Sequence, residues 1–370
     1  MTIHLSIPAR INLLGNPSDG NEGAHATISA AVNLRAYARI ESNEKYLLEI
    51  TGDDHLQTEF EPSDLPLPYQ SHTDLLNASV NRLFTMSPEF HSKIFKGGFY
   101  LRIWSEVPRQ SGLGGSSLLV LLTLAAMREY YQLNRRVHND YFISEMAQRI
   151  EEEELNITCG FADRYVPLFG GLAYIDYHGK LEHKPIGEEP LATYERFDQL
   201  VESLPLVGVV TGVQHESGDV HDRRRPRYME EYSQWQQTGG DMPPMVSFMH
   251  AAWECAWRGK IALLEGNLPL FGKLMEENHL LVNEMMHYCG FVDGAGWANN
   301  LFIQSARDAG ALGAKLTGAG GGGSVFALVN PGEEHSLRAA WEKTAADNKL
   351  DRAQVIDFSM SLPGLIVDHK

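Results

Sequence analysis

The stretch Pro108-Arg109-Gln110-Ser111-Gly112-Leu113-Gly114-Gly115-Ser116-Ser117 runs directly into Leu118-Leu119-Val120-Leu121-Leu122-Thr123-Leu124-Ala125-Ala126-Met127. The first part is dominated by glycine and serine. The second is apolar on every side and rich in helix formers, the pattern of a loop entering a buried helix. Glycine lets the backbone approach a ligand closely. The first amides of a helix lack intrahelical partners and carry the positive end of its dipole. Such a junction is a seat for an anion, most often phosphate. Ser116 and Ser117 fall in the first turn, where a hydroxyl can reach a phosphate oxygen or Mg²⁺. An ordinary Ser/Gly cap on a core helix has the same composition, so the loop alone does not decide.

Three better-known motifs are excluded. No G-x-x-x-x-G-K-[ST] loop occurs. Gly318-Ala319-Gly320-Gly321-Gly322-Gly323 fits G-x-G-x-x-G, but Ser324-Val325-Phe326-Ala327-Leu328-Val329 follows and reads as a strand. The dinucleotide fingerprint requires a helix there. No G-x-S-x-G elbow is present.

The spacing Pro108-x-x-x-Gly112-Leu113-Gly114-Gly115-Ser116-Ser117 resembles the second, phosphate-binding motif of the GHMP kinases, named for galactokinase, homoserine kinase, mevalonate kinase and phosphomevalonate kinase. Two further segments resemble the other motifs of that family, in family order. Pro8-Ala9-Arg10-Ile11-Asn12-Leu13-Leu14-Gly15-Asn16-Pro17-Ser18-Asp19-Gly20 is similar to the first, and Lys315-Leu316-Thr317-Gly318-Ala319-Gly320-Gly321-Gly322-Gly323 to the third. The likeness spans essentially the full chain.

What the resemblance implies is specific. ATP would be held by Pro108, Gly112, Leu113, Gly114, Gly115, Ser116 and Ser117, with Gly115 standing where many members carry another serine. Asp163 matches the aspartate that takes or orients the acceptor hydroxyl proton, and Arg10 the basic residue near the transferred phosphoryl. The acceptor would meet Arg10, Asn16, Asp19, Asp163, Thr317, Gly318, Ala319 and Gly320, with Asn278 a further candidate. Mg²⁺ would be ligated by Ser116 and one glutamate of Glu151-Glu152-Glu153-Glu154, with Glu152 the first choice and Glu151 the second. Four carboxylates at a helix C-terminus oppose its dipole. They need an offset, and a bound cation is the natural candidate.

Within the family, Glu154-Leu155-x-Ile157-x-x-Gly160-x-x-Asp163-Arg164 followed by Phe169-Gly170-Gly171-Leu172-x-Tyr174-x-Asp176 looks most like glucuronokinases, which phosphorylate C1 of a uronic acid. Ser217-Gly218-Asp219-Val220-His221, followed by Arg223, Arg224, Arg225 and Arg227, is a further echo. The basic run is either a solvated helix face or a group that meets a sugar carboxylate. Asn16 stands where galactokinases carry an acidic residue, which disfavours galactose and suits an anionic substrate. The alternatives are a galactokinase-like or mevalonate-like kinase, and a noncatalytic sugar sensor of the same fold.

The expected fold is α+β in two domains: residues 1–195 like domain 2 of ribosomal protein S5, and residues 196–370 ferredoxin-like, with 178–203 connecting them. Strands are expected around Pro8, over 27–41, 46–51, 98–106 and 204–211, and late in the chain. Helices are expected over 73–84, 138–154, 221–238, 245–265, 268–288, 295–309 and 332–347. A net charge of −17 speaks against nonspecific nucleic-acid binding. No apolar run is long enough for a membrane span. Three dispersed cysteines, with no secretory start, point to a reducing, cytoplasmic setting. The expected partners are ATP, Mg²⁺ and a small sugar, in a monomer or homodimer.

Overall fold

Alternating apolar residues in the first stretch form one strand, β1 (Thr2–Leu14), antiparallel to the long β2 (Ala26–Asn43). The register shifts between Pro8 and Ala9, and of the one or two short strands expected around Pro8 the structure has one, running through it. A shift of this kind accommodates a residue with no N–H to donate. The computed structural model describes residues 2–21, 23, 25–52, 56–180, 184–201, 204–213 and 217–370, leaving aside the side chains of Ser217 and Gly218. Parts of the expected connection 178–203 therefore lie outside the described residues.

Next come β3 (Tyr46–Ile50), β4 (Leu56–Phe60), α1 (Asp74–Met86), α2 (Pro88–Ile94) and β5 (Gly98–Ser105). The glycine-serine loop then opens α3 (Gly115–Tyr130), whose Leu118, Val120, Leu121, Leu122 and Ala125 are fully buried. This helix packs on β1 and β2 beside α1, α4 (Asp140–Arg149) and α5 (Ala162–Phe169). The strands β6 (Leu172–Asp176) and β7 (Thr193–Arg196) complete this half.

The second half contains β8 (Leu206–Val210), α6 (Ser217–Thr238), α7 (Pro244–Leu264), α8 (Leu268–Tyr288), α9 (Trp297–Asp308), β9 (Gly313–Thr317), β10 (Ser324–Leu328), α10 (Glu334–Asp347) and β11 (Gln354–Phe358). Its sheet runs β11-β8-β10-β9, every pair antiparallel. That is the split βαβ order of the expected ferredoxin-like layer. Phe302, Trp341, Val207 and Val325 fill the space beneath α9 and α10.

A last strand, β12 (Ile366–His369), returns to pair with β1 in the N-terminal sheet. That sheet reads β12-β1-β2-β5-β3-β4, with β6 on β2 and β7 on β6. The chain end, expected within the C-terminal domain, thus forms an edge of the first sheet. One apolar cluster includes Ile11, Leu14, Ile28 and Leu113 from the first half together with Cys255, Phe271, Leu274 and Phe326 from the second. The two halves share a core.

Candidate active site

A cleft of about 1100 Å³ opens where four segments converge. They are the β1–β2 connection, the loop ahead of α3, the turn between α4 and α5, and the glycine run between β9 and β10. The cleft wall includes Arg10, Asn16, Asp19, Pro108, Gly112, Gly114, Gly115, Ser116, Asp163, Thr317, Gly318, Ala319 and Gly320. Segments more than 300 residues apart in sequence therefore meet as the three motifs require.

The two glycine runs pack backbone against backbone. Gly112 has φ of +71°, and a Cβ there would lie 2.8 Å from the Thr317 carbonyl oxygen. Ser324 Oγ donates to the Ser111 carbonyl over 2.6 Å, tying β10 to the same loop. Thr317 Oγ1 accepts from Asn12 N–H at 3.2 Å. The third motif thus holds the second in place as well as lining the cleft.

Arg10 sits at the junction. Its Nε and Nη2 each lie 2.6 Å from Asp163 Oδ1, and its Nη1 donates to the Gly112 carbonyl at 2.7 Å. Asp163 lies in the first turn of α5 and lines the cleft, with its Oδ2 3.9 Å from Arg164 Nη1. One carboxylate oxygen is clamped by Arg10, and the other has only this longer contact with Arg164.

The glutamate quartet differs from expectation. The helix expected through residue 154 gives way at Ile150–Glu154 to a π turn, a wider coil that re-aims side chains and is common at functional sites. It carries Glu151, not Glu152, to the second motif. Glu151 accepts from Ser116 Oγ at 2.9 Å and Ser117 Oγ at 3.0 Å, and pairs with buried Arg164. Glu152 Oε1 instead lies 3.4 Å from the Cys159 N–H and is absent from the cleft wall. The offset expected from a cation comes in large part from arginines: Arg164 for Glu151, Arg82 with Arg149 for Glu153, and Arg82 for Glu154.

Other expected residues sort by side chain. Leu113 is buried in the core, and Ser117 is committed to Glu151, so neither side chain reaches the cleft wall. Asn278 is fully buried and braces the first motif instead. It accepts from the Gly15 N–H at 3.0 Å and donates to the Asn16 carbonyl at 3.1 Å. Asp19 accepts from the Ala162 N–H at 3.1 Å. Burial first, and then repulsion from Asp163, push its carboxyl above the usual range.

Two contributors were not distinguished by the sequence patterns. Lys315 is fully buried and donates to Asn16 Oδ1 at 2.6 Å and to the Asn12 and Leu316 carbonyls, each at 3.0 Å. Burial pushes its ammonium down to about 7. Of the four arginines after His221, Arg223 pairs with Asp219, Arg225 donates to the Gly20 carbonyl and Arg227 stacks on Tyr288. Arg224 alone is buried against the cleft, beside His221. The signal was there: Val220, Arg224 and Tyr228 recur at helical spacing, which places a cation in an apolar stripe. At another end of the cleft, Ile50, Leu56, Trp104, Val107 and Leu119 make an apolar wall near the loop.

The GHMP kinases N terminal domain model matches residues 78–171, and the GHMP kinases C terminal model matches residues 298–347. The chain is 25% identical to the D-glycero-α-D-manno-heptose 7-phosphate kinase of Campylobacter jejuni, over 98% of each chain. It is 27% identical to glucuronokinase 1 of Arabidopsis thaliana, covering 90% of this chain and 88% of that one. Its fold matches that of Lactococcus lactis galactokinase solved with galactose, with a TM-score of 0.74, 17% identity, and 99% and 95% of the two chains covered.

Proposed function

The chain belongs to the GHMP kinases, and from that premise we propose that it transfers the γ-phosphoryl group of ATP to a sugar hydroxyl. The acceptor position is the C1 hydroxyl of a sugar or uronic acid, as in the glucuronokinase-like branch it resembles. The observation that carries this reading is the clamp of Arg10 on Asp163, set against the glycine loop that opens α3.

The chain's own residues supply each part. The amides at the start of α3 face the phosphates, and the apolar wall of Ile50, Leu56, Trp104 and Leu119 suits a flat base. Arg10 fixes Asp163 Oδ1, which leaves Oδ2, 3.9 Å from Arg164 Nη1, to accept the proton of the attacking hydroxyl. The same guanidinium holds the loop carbonyl of Gly112 and places positive charge beside the transferred group. Asp19 and Asn16 present an acceptor and a donor to the sugar.

Ser116 Oγ and the Glu151 carboxylate, 2.9 Å apart, are hard oxygen donors of the kind Mg²⁺ prefers. They would hold that ion, which would supply positive charge against the phosphates.

The test is ADP release with ATP and Mg²⁺ across neutral sugars, uronic acids, sugar phosphates, mevalonate and homoserine. Turnover of a sugar or sugar acid is the expected result. Turnover confined to mevalonate or homoserine would move the chain to another branch, and binding without turnover would make it a sensor.

A further inference from the structure

The acceptor side of the cleft holds donors that the chain itself does not use. Arg224 is 1% exposed, and its Nη2 lies 2.9 Å from His221 Nδ1. Its Nε and Nη1 have no hydrogen-bond partner. By the donor count of a guanidinium, that leaves three N–H groups unused. Burial first, and Arg224 next, hold His221 well below its ordinary value. The imidazole is therefore neutral and accepts from Arg224 without neutralising it.

Asp19 feels both Asp163 and Arg224 through space. Arg224 lines the same cleft as Asp19 and Asn16, the residues assigned above to the sugar. Asn16 belongs to the same wall, with Oδ1 taken by Lys315 and Nδ2 left without a partner. A buried cation with unfilled donors destabilises a free protein. A negatively charged ligand would offset both the charge and the missing bonds, with charge-assisted geometry.

We propose that Arg224 is a specificity-determining residue and that the acceptor is a sugar bearing an anionic group, carboxylate or phosphate, which seats on the unused N–H groups of Arg224. The proposal rests on the kinase reading of the cleft and deepens it. The anion is part of the substrate that does not react. Its binding energy is available to hold the acceptor hydroxyl against Asp163, which lowers the entropic cost of the transfer.

The test compares wild type with Arg224→Met and Arg224→Lys on two matched pairs of acceptors. D-glucuronate against D-glucose probes the carboxylate. D-glycero-α-D-manno-heptose 7-phosphate against the unphosphorylated heptose probes the phosphate. In the wild type, one anionic sugar should exceed its neutral partner in kcat/KM by about ten- to a hundredfold. Arg224→Met should erase most of that ratio, mainly through KM, and Arg224→Lys should restore part of it. The pair that shows the effect identifies the anion.

Melting temperature without ATP supplies an independent readout. The preferred anionic sugar should raise it in wild type and not in Arg224→Met, while ligand-free Arg224→Met should melt no lower than wild type. A ratio that survives Arg224→Met, or a wild type that prefers both neutral sugars, would overturn the proposal. A lower ligand-free melting temperature with an unchanged ratio would make Arg224 structural. Failure of every sugar to release ADP would sink the kinase reading alone, because the melting arm still decides whether an anion seats on Arg224.

Discussion

The two sides of the cleft are built on opposite terms. On the phosphoryl side the charges close within the chain: Arg10 on Asp163 and Gly112, and Glu151 on Ser116, Ser117 and Arg164. On the acceptor side, Arg224 Nε and Nη1 and Asn16 Nδ2 have no hydrogen-bond partner among the described residues. Arg164 and Arg224 make the contrast plainest. Both are guanidinium groups almost without exposure, and each has an Nε without a partner, but among the described residues Arg164 pairs with a carboxylate and Arg224 does not. A side whose groups hold one another is set before the ligand arrives. A side with unused donors is completed by the ligand. On the proposed reading, the transfer chemistry is set by groups the chain itself holds, and the choice of substrate by Arg224 and Asn16.

The largest expected break in this comparison comes from Asp163→Asn. The amide keeps the shape but cannot take the proton, so kcat should fall about 10²–10⁴-fold while nucleotide Kd changes little. A variant that turns over normally but melts lower would reduce Asp163 to a structural partner of Arg10.

Glu151→Gln against Glu152→Gln comes second. Removing the charge of Glu151 strands buried Arg164, and loss of one member of such a pair costs about 3–5 kcal/mol. Glu152→Gln leaves the Glu151–Arg164 pair intact, so a smaller loss is expected. Urea midpoints would show the difference. Excess Mg²⁺ should partly rescue the activity of Ser116→Ala and of Glu151→Gln, and equal behaviour of the two glutamine variants would erase the distinction made by the π turn.

Lys315 sharpens the acceptor side through pH. Its ammonium is depressed to about 7 by burial, whereas in the unfolded chain it titrates near its ordinary value. Between these limits the unfolded chain binds the extra proton, so wild-type stability gains with rising pH from about 7 towards 10. Below 7 both forms are protonated and this contribution is flat. Lys315→Met lacks the gain, so the stability difference between wild type and variant should shift in favour of wild type across that window. A difference that stays constant from pH 7 to 9.5 would show that Lys315 does not titrate there.

The smallest expected effect is that of Gly115→Ser. A Cβ at Gly115 meets nothing within 4 Å, and serine favours a helix over glycine by about 0.5 kcal/mol. A slight rise in melting temperature with activity retained is expected, and a marked loss of ATP use would show that the phosphate needs the bare backbone.

Much of the phosphoryl side was legible in the sequence because it is made of local patterns. A glycine loop before an apolar helix, and Arg10 and Asp163 within recognisable motifs, carry their signals in neighbouring residues. The exchange of Glu152 for Glu151 was not legible, since a π turn rotates the quartet and nothing in Glu-Glu-Glu-Glu announces it. Nor was the role of Asn278, whose bonds to Gly15 and Asn16 depend on how α8 crosses β1. Strand β12 was missed for another reason. Four residues carry little pattern of their own and become a strand only where the edge of β1 is open to them. Arg224 was half visible, in the right segment but one of four arginines until packing chose among them.

The core shared between the halves has a mechanical consequence. Leu14 and Ile28 of the first sheet pack against α7 at Gly259, and the cluster continues to Phe271 and Phe326. Swinging one half away from the other would tear open hydrocarbon contacts that water cannot replace. A rigid-body opening of the two halves is therefore disfavoured. Heating should take both halves apart in one cooperative event, and neither half should hold its shape when expressed without the other.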